Sequence, residues 1–97
     1  MSHYVAIVED AGPDRAVGVW FPDLPGCFSA GDSMDEALVN APEAIVLYAE
    51  ALAAARRQLP PARTLDELKQ DPQFASETEG NLVAIVPFTM PVVTAAE

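Results

Sequence analysis

The fold turns on Phe21-Pro22-Asp23-Leu24-Pro25-Gly26-Cys27. Two prolines and a glycine in seven residues break any strand or helix that would run through them. Pro25 presets the backbone for position i+1 of a β-turn, and Gly26 supplies the positive φ that position i+2 of a type II turn requires. The chain therefore reverses here, with a strand expected on each side. Before it, Arg15–Phe21 alternates Val17, Val19 and Phe21 against Ala16, Gly18 and Trp20, the period of a strand. After it, Cys27–Ala30 forms a short strand that Gly31-Asp32 stops. Further upstream, His3–Glu9 carries the nearly continuous apolar run Tyr4-Val5-Ala6-Ile7-Val8, suited to a central strand covered on both faces. Asp10–Asp14 holds the Gly and Pro of a hairpin loop. The three strands make an antiparallel meander.

A long helix follows, beginning at Ser33. Ser33 and Glu36 have capping-box spacing, and Asp35 and Glu36 suit the positive end of the helix dipole. Met34, Ala37, Leu38, Ala41, Ile45, Tyr48 and Leu52 recur at steps of three and four as one apolar stripe. Glu36, Glu43 and Glu50 lie on a second, solvated face. Pro42 removes one helical hydrogen bond and predicts a kink near Leu38–Pro42; the alternative is two helices, the second starting at Ala41. Arg56-Arg57 are expected to complement the helix C-terminus, and Pro60-Pro61 to end it. Thr64–Lys69 reads as a short second helix with a Thr64/Glu67 capping box, and Gln70–Gly80 as loop. Asn81–Phe88 is the last strand, and Leu82-Val83-Ala84-Ile85-Val86 predicts burial on both faces.

The expected class is α+β in the order βββααβ. By the right-handed crossover rule, the last strand is placed parallel to the first and beside it, giving sheet order 3-2-1-4. This is a reduced ribonuclease-H-like arrangement. One sheet face then lacks helices to cover it and invites a partner subunit. Trp20 and Phe21, adjacent on one strand, point to opposite faces, so one of these aromatics faces away from the helix-covered core.

Composition narrows the function. Ninety-seven residues, 51% of them hydrophobic, make one domain with one modest core. Fifteen acidic residues against five Lys and Arg give a formal net charge of −10. Such a surface repels phosphate backbones, making DNA binding by this chain unexpected, and it draws basic partners. The lone Cys27 leaves no internal disulfide and fits a reducing compartment. No charged and apolar leader is visible at the N-terminus, and no apolar run approaches the roughly 20 residues that span a bilayer. A cytoplasmic location is expected.

Catalytic sets are thin. A two-metal nuclease on such a sheet wants a carboxylate in the middle of the first strand, where this chain has Val5-Ala6-Ile7-Val8. Glu9 and Asp10 stand only at its end, and Asp23, Asp32, Asp35 and Glu36 fall on turns and a helix start. A Cys–His nucleophile would need Cys27 and His3 in contact. There is no phosphate loop, metal-ligand cluster or basic aromatic patch. The reading is a protein without catalytic residues, metal or cofactor. Trp20, Asp23, Leu24 and Phe28, on and beside the turn, are the candidate partner contacts.

Trp20–Cys27, followed by Ser29-Ala30-Gly31-Asp32-Ser33 and Asp35-Glu36-Ala37, resembles the HicB-like antitoxin family. Its members show an aromatic-Pro-Asp/Glu-Leu-Pro-Gly-Cys run and then a Gly-Asp/Glu-Ser/Thr helix start. The resemblance extends more loosely through Leu52, the Pro-Pro and Leu65–Leu68 segment and Val83–Val86. It implies a partial ribonuclease-H-like fold without nuclease residues, neutralising a small, basic, mRNA-cleaving HicA-type toxin of the double-stranded-RNA-binding fold. It also implies masking of the toxin's catalytic histidine and assembly into a dimer or tetramer. An oligomeric protein-binding regulator without a cognate toxin is the alternative. Residues 1–90 then form the antitoxin domain and 91–97 a tail. Many relatives continue into a DNA-binding module, for which Pro91–Glu97 is too short; either the protein does not bind DNA, or this sequence lacks its C-terminal portion.

Overall fold

The computed structural model describes residues 2–90. Strands β1 (Ser2–Glu9), β2 (Val17–Trp20) and β3 (Phe28–Gly31) precede helix α1 (Met34–Ala54). Two short helices, α2 (Leu65–Leu68) and α3 (Pro72–Thr78), lead to strand β4 (Leu82–Phe88). The four strands form one sheet in the order β3-β2-β1-β4. The expected order holds and the expected direction of β4 does not: it pairs antiparallel with β1, Val5 opposite Ile85 and Ile7 opposite Val83.

The path of the chain explains that reversal. α1 starts at the end of the sheet where β1 and β3 finish, and returns along one face. Its Tyr48 hydroxyl donates to the Pro25 carbonyl at 2.8 Å, and the Tyr4 hydroxyl at the start of β1 donates to the carbonyl of Pro60. A direct entry into β4 from there would be parallel to β1. Instead the chain crosses the opposite face as α2 and α3, with Leu68 and Phe74 on Val5 and Ile7. It arrives at the far end, where Leu82 stands opposite Val8, so β4 has to run back. The expected loop at 70–80 is thus largely helix. Asp71 is its N-cap, accepting from the Gln73 N–H at 2.9 Å, and Pro72 opens its first turn.

The sheet is a layer between two unequal cores. On the α1 face, Tyr4, Ala6, Val8, Val19, Phe21 and Leu24 pack with Ala37, Ala41 and Ile45. Of the expected stripe, α1 buries Ala37, Ala41 and Ile45 and packs Met34, Leu38 and Tyr48 beside them; it also buries Ala49, while Leu52 stays outside the core, and Pro42 lies inside a single helix rather than between two. The small alanines let the helix approach the sheet closely, and Gly31 allows it to touch β3. A Cβ on Gly31 would stand 2.5 Å from the Ala37 backbone nitrogen. Ser29 Oγ donates to the Ala37 carbonyl at 3.2 Å and Asn40 Nδ2 to the Ala30 carbonyl at 3.0 Å, latching helix to strand.

The helix ends are as marked as expected, with two changes of partner. Ser33 accepts from the Glu36 N–H at 3.1 Å, but Glu36 reaches one residue further back, to the Asp32 N–H at 2.6 Å. Thr64 and Glu67 make the full reciprocal box. At the C-terminus no basic residue lies in the last turn. Arg56 acts through its backbone instead: at φ 59° its N–H donates to Ala53, and that of Arg57 to Leu52, the paired bonds of a Schellman stop. Taken whole, α1 is long and apolar enough to cross a bilayer by length and composition, more so than its interrupted apolar runs suggested. Its apolar stripe is packed on the sheet.

β1 is buried on both faces from Tyr4 to Val8 as expected, but β4 is not. It is an edge strand, with Leu82, Val83 and Ile85 exposed.

Candidate partner-binding face

The turn that decided the reading of the chain is two turns in succession. The Leu24 N–H donates to the Phe21 carbonyl and the Cys27 N–H to the Leu24 carbonyl, both at 3.0 Å. Pro22 and Pro25 each occupy position i+1, and Gly26 takes φ +84°. The double reversal swings Leu24 inward, where it is completely enclosed. Asp23 is drawn in beside it, its side chain 8% exposed. Its carboxylate accepts from the Arg63 backbone N–H and from Arg63 Nε, both at 2.7 Å. Arg63 also donates to Asp71 Oδ2 at 3.1 Å. These bonds, to Asp23 first, hold the guanidinium above its ordinary pKa. They also pin the segment entering α2 and the cap of α3 to the turn.

Of the four expected contact residues, the structure thus places Asp23 and Leu24 inside, as supports of the turn. Trp20 is half-buried, its Nε1 donating to Glu77 Oε1 of α3 at 2.8 Å. Phe28 is 68% exposed. Cross-strand pairing puts Phe28, Trp20, Ile7 and Val83 in one row across all four strands, on the face opposite α1. α2 and α3 cover the middle of this row and leave both ends bare. The opposite face is therefore covered at its centre rather than left open.

At the Phe28 end the surface is concave. A cleft of about 280 Å³ lies between Trp20, Pro22, Phe28, Arg63, Phe74 and Glu77. A shallower recess of about 270 Å³ lies on the other side of Phe28, against Leu47 and Tyr48. Leu47 is itself 58% exposed. The acidic and aromatic lining suits a positively charged, partly apolar ligand surface. Arg63, Asp71, Phe74 and Glu77 were not singled out from the sequence. The one signal for them was Asp71-Pro72, an N-cap followed by a helix-opening proline.

The catalytic alternatives find no assembled site. His3 lies on the same sheet face as Val5 and Ile7, whereas Cys27 belongs to the α1 core. Burial pushes the Cys27 thiol up to about 11, the reverse of an activated nucleophile, and Sγ donates to the Ala44 carbonyl at 3.6 Å. Glu9 and Asp10 are exposed at the end of β1. Among the described residues, no three His, Cys, Asp or Glu side chains gather as metal ligands.

Comparison with known proteins gives this architecture a context. A family model for the HicB-like antitoxin of bacterial toxin–antitoxin systems matches residues 4–95. An uncharacterized 14.9 kDa protein of Haemophilus phage HP1 is 35% identical over 71 residues, 73% of this chain and 52% of its own length. A UPF0150 protein of Thermoplasma acidophilum is 40% identical over 60 residues, 62% of this chain and 84% of its own. Among solved structures, a chain of the HicA3 and HicB3 toxin–antitoxin complex superposes with a TM-score of 0.72 at 27% identity, covering 91% of this chain and 99% of that one. The Burkholderia pseudomallei antitoxin HicB gives 0.71 at 31% identity over 90% of this chain and 63% of its own. The chain spans about half of the phage protein and under two thirds of the Burkholderia antitoxin.

Proposed function

Because this chain belongs to the HicB-like antitoxin family of bacterial toxin–antitoxin systems, we propose that it binds and silences a HicA-type toxin. The observation that carries this is the match along nearly its whole length to a chain of the HicA3–HicB3 complex. The physics of the surface agrees. A chain of net charge −10 attracts a basic protein at long range. At close range it offers an exposed aromatic flanked by two recesses. In this reading the protein works by occlusion in the cytoplasm, with no chemistry of its own, and residues 1–90 are the partner-binding domain.

Phe28 is the central contact and Trp20 the wall behind it, while Asp23 and Leu24 contribute by fixing the turn that presents Phe28. Two experiments test these statements separately. Co-expression with the product of the adjacent reading frame is expected to yield a co-purifying complex and to relieve growth arrest. A neighbour that is not a small basic protein, or that fails to associate, overturns the antitoxin reading. Phe28→Asp, at a position already in solvent, is expected to weaken the complex by about thirtyfold, the effect of losing an aromatic hot spot. An unchanged affinity in a folded Phe28→Asp protein moves the contact elsewhere.

A further inference from the structure

The cleft beside Phe28 is short of positive charge. Around it Asp23, Asp71 and Glu77 stand against one cation, Arg63. Among the described residues both ion pairs belong to Arg63, one to Asp23 and one to Asp71, and no cation stands against Glu77. The half-buried Glu77 accepts from neutral donors instead, Oε1 from Trp20 Nε1 at 2.8 Å and Oε2 from Gln73 Nε2 at 2.9 Å. A carboxylate offers about four acceptor sites, so capacity is left over on both oxygens. The walls are aromatic. Glu77 fixes the indole of Trp20, Phe28 is its cross-strand neighbour, and Phe74 of α3 lines the same cleft. Aromatic faces attract cations, that of tryptophan most strongly. At about 280 Å³ the cleft is smaller than pockets that enclose drug-sized ligands, and its size suits one side chain.

We propose that this cleft receives one arginine side chain of the partner protein, its guanidinium lying against Trp20 and donating to Glu77. The partner's identity rests on the antitoxin reading, whereas the preference for guanidinium rests on the cleft alone. Lysine is the weaker occupant. Its ammonium is strongly hydrated and has no flat face, while a guanidinium stacks on an aromatic ring and still presents N–H groups in its plane. The bonds from Trp20 and Gln73 hold the carboxylate in place before the ligand arrives, which lowers the ordering cost of binding. Arg63 opposes the newcomer little, since two carboxylates already answer its charge. The net charge of −10 gathers cations over the whole surface and does not select this place; Trp20 and Glu77 do.

Titration of the whole chain with N-acetyl-arginine amide tests this without a toxin, followed by NMR at the indole N–H of Trp20, the one tryptophan. A saturating shift in the millimolar range is expected. N-acetyl-citrulline amide, an uncharged analogue of the same shape, and N-acetyl-lysine amide are each expected to bind about tenfold more weakly or worse. Glu77→Gln keeps an acceptor for the Trp20 N–H and is expected to lose about tenfold in affinity for the arginine probe. Glu50→Gln removes the same charge from an exposed place on α1 and is expected to bind as the wild type does. No saturating shift overturns the proposal, as does a citrulline or lysine probe that binds as well as the arginine one. A folded Glu77→Gln protein that binds no more weakly than Glu50→Gln overturns it too, because the effect is then that of the overall field. Should Glu77→Gln not fold, the citrulline comparison on the wild type decides. In the co-purified toxin complex, Glu77→Gln is expected to weaken binding about tenfold. An unchanged affinity there, where Phe28→Asp still weakens binding, overturns the partner arginine and leaves the antitoxin reading standing.

Discussion

At the scale of single residues, two positions test opposite meanings of glycine. Gly31 does not have a positive φ; it is needed for space, since α1 lies where a side chain would begin. Gly31→Ala forces helix and strand apart along the Ser29–Ala37 and Asn40–Ala30 bonds. It is expected to lower stability by about 1–3 kcal/mol, the usual range for overpacking, read as a lower urea midpoint at unchanged slope. Arg56 is the converse, a non-glycine at φ 59° in the position where helices usually place glycine. Its conformation costs roughly 1 kcal/mol, which glycine removes, while the greater freedom of glycine in the unfolded chain cancels part of the gain. Arg56→Gly is therefore expected to raise stability by about 0.5 kcal/mol, read as a higher urea midpoint, and a fall would mean that the Arg56 side chain holds a contact worth more. The candidate site was only half legible at this scale. That a turn is built at Leu24–Cys27 follows from Pro25 and Gly26. That Leu24 points inward and Asp23 is claimed by Arg63, forty residues away, depends on the second turn at Pro22 and on where α2 begins.

Among elements, α3 decides both the topology and the shape of the Phe28 cleft, and it is held by a few polar bonds. Its cap, Asp71, is kept below its ordinary carboxylate pKa, first by the Gln73 N–H and next by Arg63. A carboxyl with a depressed folded pKa contributes above its unfolded value, about 4, and loses that contribution as pH falls through the folded value. The hold on α3 is thus expected to be full at neutral pH and to fail only below about pH 4. Trp20, the one tryptophan, bonds to Glu77 on this helix and reports the event. Asp71→Ala is expected to show at pH 7 the shifted emission that the wild type shows only in acid; an Asp71→Ala spectrum identical to wild type would mean that α3 is held by Phe74 alone. The same helix marks the limit of what could be read from the chain. α1 was legible because its stripe repeats over five turns, and β1 because its apolar run is unbroken. α3 has one buried residue, Phe74, among polar ones, so its periodicity carries no signal and only the Asp71-Pro72 start betrays it. Missing it removed the second crossing of the sheet, and with it the antiparallel direction of β4.

For the whole molecule, charge and apolar surface are divided so that salt acts on them with opposite signs. Net charge −10 on 97 residues strains the compact state by self-repulsion and opposes the approach of a second copy. The same field would draw the proposed basic partner at long range. Raising sodium chloride from about 0.02 M to about 0.5 M shortens the screening length from roughly 20 Å to under 5 Å. Urea midpoints are then expected to rise. The association rate with a basic toxin is expected to fall by an order of magnitude or more, since steering by opposite charge is the part of recognition most exposed to screening. Its dissociation rate should change far less if the proposed contact at Phe28 and its two recesses holds by packing rather than by field. Stopped-flow association and urea unfolding over one salt series read both effects. An association rate insensitive to salt would show that the acidity serves solubility alone.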